Sequence, residues 1–435
     1  MNYSKHNITG VTSDGRHFIV NPLSGNADIL DPAWMDDFTS GRWKHKDDYA
    51  AKGYIVDPAV EAVRYEKAYR EFIASRANDE VQLFFVPWYA CNFACTYCYQ
   101  DQYTNPSQTL STGVVDAFFN YVENNFAGRK KYITIFGGEP LLDGPAARAS
   151  IGGIIDRAKT AELDIAVVTN GYTLSSYVPL LSGARLREVQ VTLDGMRETH
   201  DARRPLKNGG SSFDRVVAGI DDALAAGMTV NLRVVVDAEN IGELPALAQF
   251  AKDRGWTALK HFKTQLGRNY ELHHCQSERS KLFSRLSLYS RLAEMIPDNP
   301  VILDFHKPAF SIAKFLFENG ELPQPLFDSC PACKTEWAFD YTGTIYSCTA
   351  NVGKKGEELG TFFPDVTHDA AAIAHWQQRD VTSIDACGNC ALQLACGGGC
   401  GAVAENSSGS INSPDCRPVD KLIGLGLATY FHKAE

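Results

Sequence analysis

Along this chain the apolar residues change rhythm twice. Up to about residue 78 they fall in short runs: "NITGVT", "HFIVNP" and "NADIL" read as strands, the last two joined by a turn at "PLSG". "DPAWMDDF" then opens a helix, with Asp31 as its cap and Pro32 in its first position, and "DPAVEAVRYEKAYREFIASR" predicts a longer one. Three strands followed by helices is a small α+β, winged-helix-like order.

From 81 to about 266 the pattern becomes a repeat of strand and helix. Strand-like runs are "VQLFFV", "YITIF", "IAVVT", "EVQVTL", "TVNLRVVV" and "ALKHFKTQ". Between them lie helical stretches such as "GVVDAFFNYVENNF", "ASIGGIIDRAKTAE", "SFDRVVAGIDDALAAG" and "ELPALAQFAKDRG". Alternating units with apolar strands predict an α/β fold with a parallel sheet, curled into a partial (β/α)6 TIM-like barrel; an open doubly wound sheet is the alternative. Residues 280 to about 320 read as helical, 330 to 416 are cysteine-rich, and "KLIGLGLATYFHK" closes the chain as a helix. The expected division is 1–78, 79–270, 271–325, 326–420 and 421–435.

Composition changes this picture in three places. A length of 435 residues exceeds one ordinary core, so two or three domains are expected. A net charge of −10, from 42 basic and 52 acidic residues, argues against a nucleic-acid or anionic-membrane partner. No signal-peptide run opens the sequence and no stretch has membrane-spanning length, which points to a cytoplasmic protein. Twelve cysteines in that compartment read as metal ligands or reactive thiols before disulfides.

Three of them stand in "CNFACTYC": Cys91, Cys95 and Cys98. Such offsets arise by chance in about one chain in a hundred of this cysteine content, so their place directly after the first barrel strand carries the weight. A structural zinc site wants four ligands. Three thiolates can instead hold three irons of a [4Fe–4S] cube and leave the fourth open to a small molecule. "GGEP" (Gly137, Gly138, Glu139, Pro140), "TNG" with Asn170, and "LDG" after Thr192 also follow strands, where parallel-strand folds build their sites. The two glycines permit close backbone approach to a ligand, and the carboxylate suits an ammonium group.

"CNFACTYC", with the aromatic Tyr97 before its last cysteine, resembles the CxxxCxxC motif of the radical S-adenosylmethionine (SAM) superfamily; the likeness covers roughly 81 to 266. The resemblance implies that SAM chelates the open iron through its amino and carboxylate groups. One-electron cleavage would then leave a 5′-deoxyadenosyl radical that removes a substrate hydrogen. It also implies that Gly137, Gly138, Glu139 and Pro140 bind the SAM amino group and that Thr192 of "VTLDG" contacts the cofactor. An arginine of "DARRP" would hold the carboxylate: Arg203 or Arg204, with Arg204 preferred by spacing. Asn170 and Arg233 are further cofactor candidates, with a strand-end cap or an ion pair as the plain alternative.

A second cysteine set runs Cys333-x9-Gly343-x4-Cys348, then Cys387, Cys390, Cys396 and Cys400, and ends at Cys416. A zinc ribbon is the plain reading. The complete order resembles the SPASM extension of radical SAM enzymes, which carries two auxiliary [4Fe–4S] clusters, three with the SAM-binding one. With Cys330 there are eight thiolates, enough to close two cubes. The resemblance implies Cys330, Cys333, Cys348 and Cys400 for the first and Cys387, Cys390, Cys396 and Cys416 for the second. Without Cys330, which lies outside the seven-cysteine order, the first cluster would keep an open site. Cys275, beside His273 and His274, reads as an inert thiol, and "GLGLAT" lacks the third glycine and the strand of a dinucleotide loop.

The resemblance implies a peptide or protein substrate, since radical SAM enzymes with SPASM extensions mostly modify peptides or proteins. Anaerobic sulfatase-maturing enzymes, which form formylglycine, have an aspartate after the cysteine matching Cys348; here Thr349 follows. Peptide natural-product maturases install carbon–carbon, ether or thioether cross-links. Members often carry an N-terminal element of three strands and three helices that binds the precursor's leader as an added strand; residues 1–78 resemble that order, with a cover over the barrel's open end as the equal alternative. The expectation is therefore a radical SAM/SPASM maturase acting on a precursor peptide, leader and core, with a flavodoxin- or ferredoxin-type reductant. No residue stands out as a catalytic acid or base. A non-catalytic iron–sulfur electron carrier or a zinc scaffold is the alternative of another class.

Overall fold

The computed structural model describes residues 1–100, 110–269 and 281–431. Its centre is a ten-stranded sheet. Six parallel strands add in chain order: β6 (Val81–Val86), β7 (Lys131–Ile135), β8 (Asp164–Thr169), β9 (Leu186–Thr192), β10 (Val230–Val236) and β11 (Phe262–Arg268). A doubly wound sheet would reverse direction at a switch point; this one does not. Helices therefore cover a single face, where Phe85, Ile133, Val167, Val191 and Leu232 share one core with Phe118, Ile154, Tyr177, Ile220 and Leu247. The other face is mixed, with Gln82 donating to Thr134 (2.8 Å) and Asn231 to Glu188 (3.2 Å) beside an apolar patch around Phe84 and Val86. That is the half-open barrel expected from the strand pattern.

Local signals account for the elements. The helix Thr112–Asn125 starts where the Ser111 hydroxyl accepts from the Val114 N–H, and Val114, Val115, Phe118, Phe119 and Val122 form its buried stripe. The helix Phe213–Ala225 buries Phe213, Val216, Val217, Ile220 and Leu224 at helical spacing. The last barrel strand lies later than the "ALKHFKTQ" run suggests, because Trp256–Ala258 coils into a 3-10 turn first.

The N-terminal region holds β1 (Asn2–Tyr3), β2 (Ile8–Val11), β3 (His17–Asn21), β4 (Asn26–Leu30) and β5 (Ile55–Val56). β2, β3 and β4 form an antiparallel sheet, and the helices Pro32–Thr39, Lys46–Ala51 and Pro58–Asn78 complete three strands and three helices. The β1–β5 pair and the Lys46–Ala51 helix had no sequence signal, being two and six residues long and largely polar. One sheet face packs Ile19 against Phe38, Tyr49 and Tyr54; the other packs Ile8, Phe18 and Val20 against Ile423, Leu427 and Cys396.

The cysteine-rich region is not a separate body. Its first strand, β12 (Glu336–Asp340), pairs in parallel with β6, and β13 (Thr344–Tyr346), β14 (Glu358–Thr361) and β15 (Thr367–His368) extend the same sheet antiparallel. Trp337 and Phe339 join the barrel core. The closing helix spans Val419–Tyr430 and contains "GLGLAT", whose Gly424 and Gly426 let Val11 and Phe310 approach. No described helix is long and apolar enough to cross a membrane. Cys275 and its two histidines lie outside the described residues.

Candidate active site

Loops following β6, β7, β8 and β9 meet at one end of the barrel. The β6 loop carries Cys91, Cys95 and Cys98, and it is held by the chain after the helix Arg197–Arg203: the Ala94 N–H donates to Pro205 O (2.9 Å) and the Thr96 N–H to Arg203 O (3.0 Å). The β7 loop closes from the other side. The Gly138 N–H donates to Trp88 O (3.3 Å), the Glu139 N–H to Ala90 O (2.9 Å), and the Trp88 indole to Glu139 O (2.6 Å). A Cβ on Gly138 would lie 2.2 Å from Tyr89 O, and one on Gly137, at φ 150°, 2.6 Å from Trp88 O. The glycines are thus required by the cysteine loop itself.

Glu139 is fully buried. One oxygen accepts from the Leu141 N–H (2.8 Å) and the Thr169 hydroxyl (2.7 Å), the other from the Asn170 N–H (2.6 Å). Burial raises its carboxyl above the usual range, against these bonds and Arg204. The residue expected to face an ammonium instead ties the β7 and β8 loops together. Asn170 donates to Asn92 Oδ1 (2.8 Å) and reaches Cys91 Sγ (3.9 Å), which places it against the cysteine loop.

The two arginines of "DARRP" separate cleanly. Arg203 donates through Nη1 to both Asp237 oxygens (2.8 Å each) and through Nη2 to Val235 O (3.1 Å). Arg204, buried, donates through Nη1 to Tyr97 Oη (2.6 Å), while its Nε has no partner among the described residues. Burial works against its charge, yet Tyr97, Cys95 and Asp194 outweigh burial and hold it above the usual arginine range. Tyr97 in turn donates to Asp194, whose other oxygen accepts from the Val235 N–H (2.8 Å). Thr192 ends β9 and is buried. Arg233 is in register with Thr192, but its guanidinium donates to Gln265 (3.3 Å) and lies over Gly267 of β11, on the side away from β9.

The eight C-terminal cysteines form two neighbourhoods. Burial pushes the Cys348 thiol well up, and Glu336, Cys330 and Cys400 add to it; Cys333 and Cys400 are raised by burial and then by Cys330, for Cys333 against Lys334. Burial pushes Cys387 up to about 11, helped by Cys396, Cys390 and Cys416. Cys416 is raised by burial, then by Cys396 and Cys390. Among the described residues no three His, Cys, Asp or Glu side chains converge on a single-ion site. Glu336 Oε1 accepts from the Thr349 N–H (2.8 Å) and hydroxyl (2.9 Å), so a half-buried carboxylate from β12 reaches the position after Cys348 that Thr349 leaves without one.

Residues 85–251 match the Radical SAM superfamily. The chain carries a radical SAM domain. Mycofactocin maturase MftC of Mycobacterium tuberculosis is 25% identical over 340 residues, 75% of this chain and 80% of that protein. GTP 3',8-cyclase of Caulobacter vibrioides is 34% identical, but over 38% of this chain and 46% of its own length, so the chain spans about half of that relative. Among solved structures, native anSMEcpe with bound AdoMet and Cp18Cys peptide superposes with a TM-score of 0.60 over 81% of this chain and 96% of that one, at 16% identity. Streptococcus suis SuiB bound to precursor peptide SuiA gives 0.56 over 97% and 99%, at 13% identity. These two matches concern the fold.

A radical SAM domain takes a [4Fe–4S] cluster and SAM, and the donor set here fits both. Burial, then Glu139, Cys95 and Cys98, push the Cys91 thiol up to about 12, against the Phe93 N–H, so an uncompensated thiolate is disfavoured there and a cationic iron centre supplies what is missing. The unpartnered Arg204 Nε offers a buried donor for a carboxylate. Sequence reasoning assigned no role to Asp194, although "LDG" was in view, and passed over Trp88, Glu336 and Arg379, which no motif marks.

Proposed function

We propose that this chain is a radical SAM maturase that removes a side-chain hydrogen from a ribosomally made precursor peptide and closes an oxidative C–C, C–O or C–S cross-link within it. The observation that carries this reading is the extent of the likeness to SuiB, a structure bound to its precursor peptide: 97% of this chain, N-terminal sheet included. The β2-β3-β4 sheet fits that role. Among the described residues β4 pairs only with β3, which leaves an edge on which a leader could add a strand.

In this reading Cys91, Cys95 and Cys98 hold the SAM-binding cube. Arg204, oriented by Tyr97 and Asp194, receives the SAM carboxylate. The backbone of Gly137–Pro140 receives its ammonium, with Glu139 fixing that loop and Asn170 and Thr192 beside the cofactor. Arg233 belongs to the barrel wall. When bound, cube and SAM supply the hydrogen-abstracting radical. Cys330, Cys333, Cys348 and Cys400 hold one auxiliary cube and Cys387, Cys390, Cys396 and Cys416 another, making three [4Fe–4S] clusters. A flavodoxin- or ferredoxin-type protein is the electron partner.

A second reading, formylglycine formation on a sulfatase, draws on Glu336, which places a carboxylate by Thr349. Anaerobic co-expression with a short precursor encoded beside the gene, followed by mass spectrometry, separates the two. Loss of two hydrogens per link supports the first. Conversion of a sulfatase cysteine or serine, with the precursor untouched, supports the second.

A further inference from the structure

Arg379 follows the helix Ala370–Gln378 and is 0% exposed, yet among the described residues it has no carboxylate within ion-pair distance. Four backbone carbonyls hold it instead. Nε donates to Ile411 O, Nη1 to Gly399 O (3.0 Å), and Nη2 to Gly398 O (3.0 Å) and Ser413 O (3.1 Å). Carbonyl dipoles take four of its five hydrogens without cancelling its charge, and a buried charge without an anion is strongly unfavourable.

Those carbonyls come from two segments: the triglycine Gly397–Gly399 between Cys396 and Cys400, and residues 411–413 on the approach to Cys416. The three glycines run consecutively at φ 62°, 73° and 74°, a left-handed path that side chains disfavour. A Cβ on Gly401 would lie 2.6 Å from Trp376 and 3.2 Å from Arg379. The loop is built around the guanidinium.

We infer that Arg379 is a buried counter-cation of the auxiliary clusters and the clamp that sets the spacing of their ligands. This rests on assigning the eight C-terminal cysteines to two cubes. A cube on four thiolates is an anion and gains a further negative charge on reduction, so a fixed cation beside it favours the reduced form and raises its potential. The segments Arg379 binds carry Cys400 of the first set and Cys396 and Cys416 of the second, so one cation serves both. Arg379 touches no substrate and is a positioning residue.

The test is an EPR-monitored redox titration, with iron analysis, of the full chain reconstituted anaerobically as wild type, Arg379→Gln and Arg379→Lys. R379Q is expected to lower the midpoint potential of at least one auxiliary cluster and leave that of the SAM-binding cluster in place. R379K keeps the charge, so its potentials stay near wild type while hydrogen exchange over 397–416 quickens as the carbonyl clamp is lost. Unshifted auxiliary potentials in R379Q overturn the inference. If R379Q holds no auxiliary iron, R379K decides: wild-type potentials support the inference, and lowered ones overturn it. About twelve irons per wild-type chain, four per cube, keep the cluster assignment whatever Arg379 does; about four overturn both.

Discussion

At the scale of single residues, two neighbouring arginines of one type have opposite tasks. Arg203 neutralises Asp237 in the interior, while among the described residues Arg204 donates to one partner, Tyr97, and has a donor to spare. Arg203→Gln strips a buried carboxylate of its cation and should cost about 3–5 kcal/mol, read as a lowered unfolding midpoint. Arg204→Gln should weaken SAM binding about 10- to 100-fold, the worth of a charged hydrogen bond of roughly 1.5–3 kcal/mol, read by equilibrium binding. Gly138→Ala drives a methyl into Tyr89 O and should displace the Cys91 loop; the expected outcome is loss of one cube's iron with the rest retained. Spacing alone favoured Arg204, but the reason was not legible, because Asp237 comes from the loop after a later strand. Glu139 shows the converse: its motif was plain, while its partners Thr169 and Asn170 come from another loop.

At the scale of elements, the helix Pro58–Asn78 was legible from its composition and length, its docking was not. It buries no residue fully and has no broad apolar stripe. It docks instead through Tyr65, Tyr69 and Phe72 around Phe327, with the Tyr65 hydroxyl on Gln393 (3.0 Å) between Cys390 and Cys396. Phe327→Ala should cost about 3–5 kcal/mol and loosen the N-terminal region from the cysteine loops, read as faster exchange in both. His6 stacks on Tyr65, and burial, with Lys5 adding, holds it down to about 4 from 6.5. The unfolded chain takes up a proton below about 6.5 that the fold refuses until about 4, so stability falls with pH across that window and levels off beneath it. Between pH 7 and 5.5 the contribution is about 1.4 kcal/mol; His6→Leu should remove that part of the slope in thermal unfolding of the N-terminal region.

At the scale of the whole molecule, one sheet runs from the barrel into the cysteine-rich region through the β12–β6 pairing. The sequence pattern showed the six barrel strands but not this seventh parallel neighbour, because a short strand among cysteines has no helix to mark it. The same continuity sets Tyr99, beside Cys98, on Thr349 O (3.2 Å), beside Cys348. The account stands on Cys91, Cys95 and Cys98 sharing one cube with an open iron. The most direct measurement is the EPR spectrum of the reduced, anaerobically reconstituted chain before and after adding SAM, with 5′-deoxyadenosine quantified in the same sample. The account predicts a changed cluster signal and 5′-deoxyadenosine release, both abolished by Cys91→Ala. A signal indifferent to SAM, or zinc bound by those three cysteines, would contradict it.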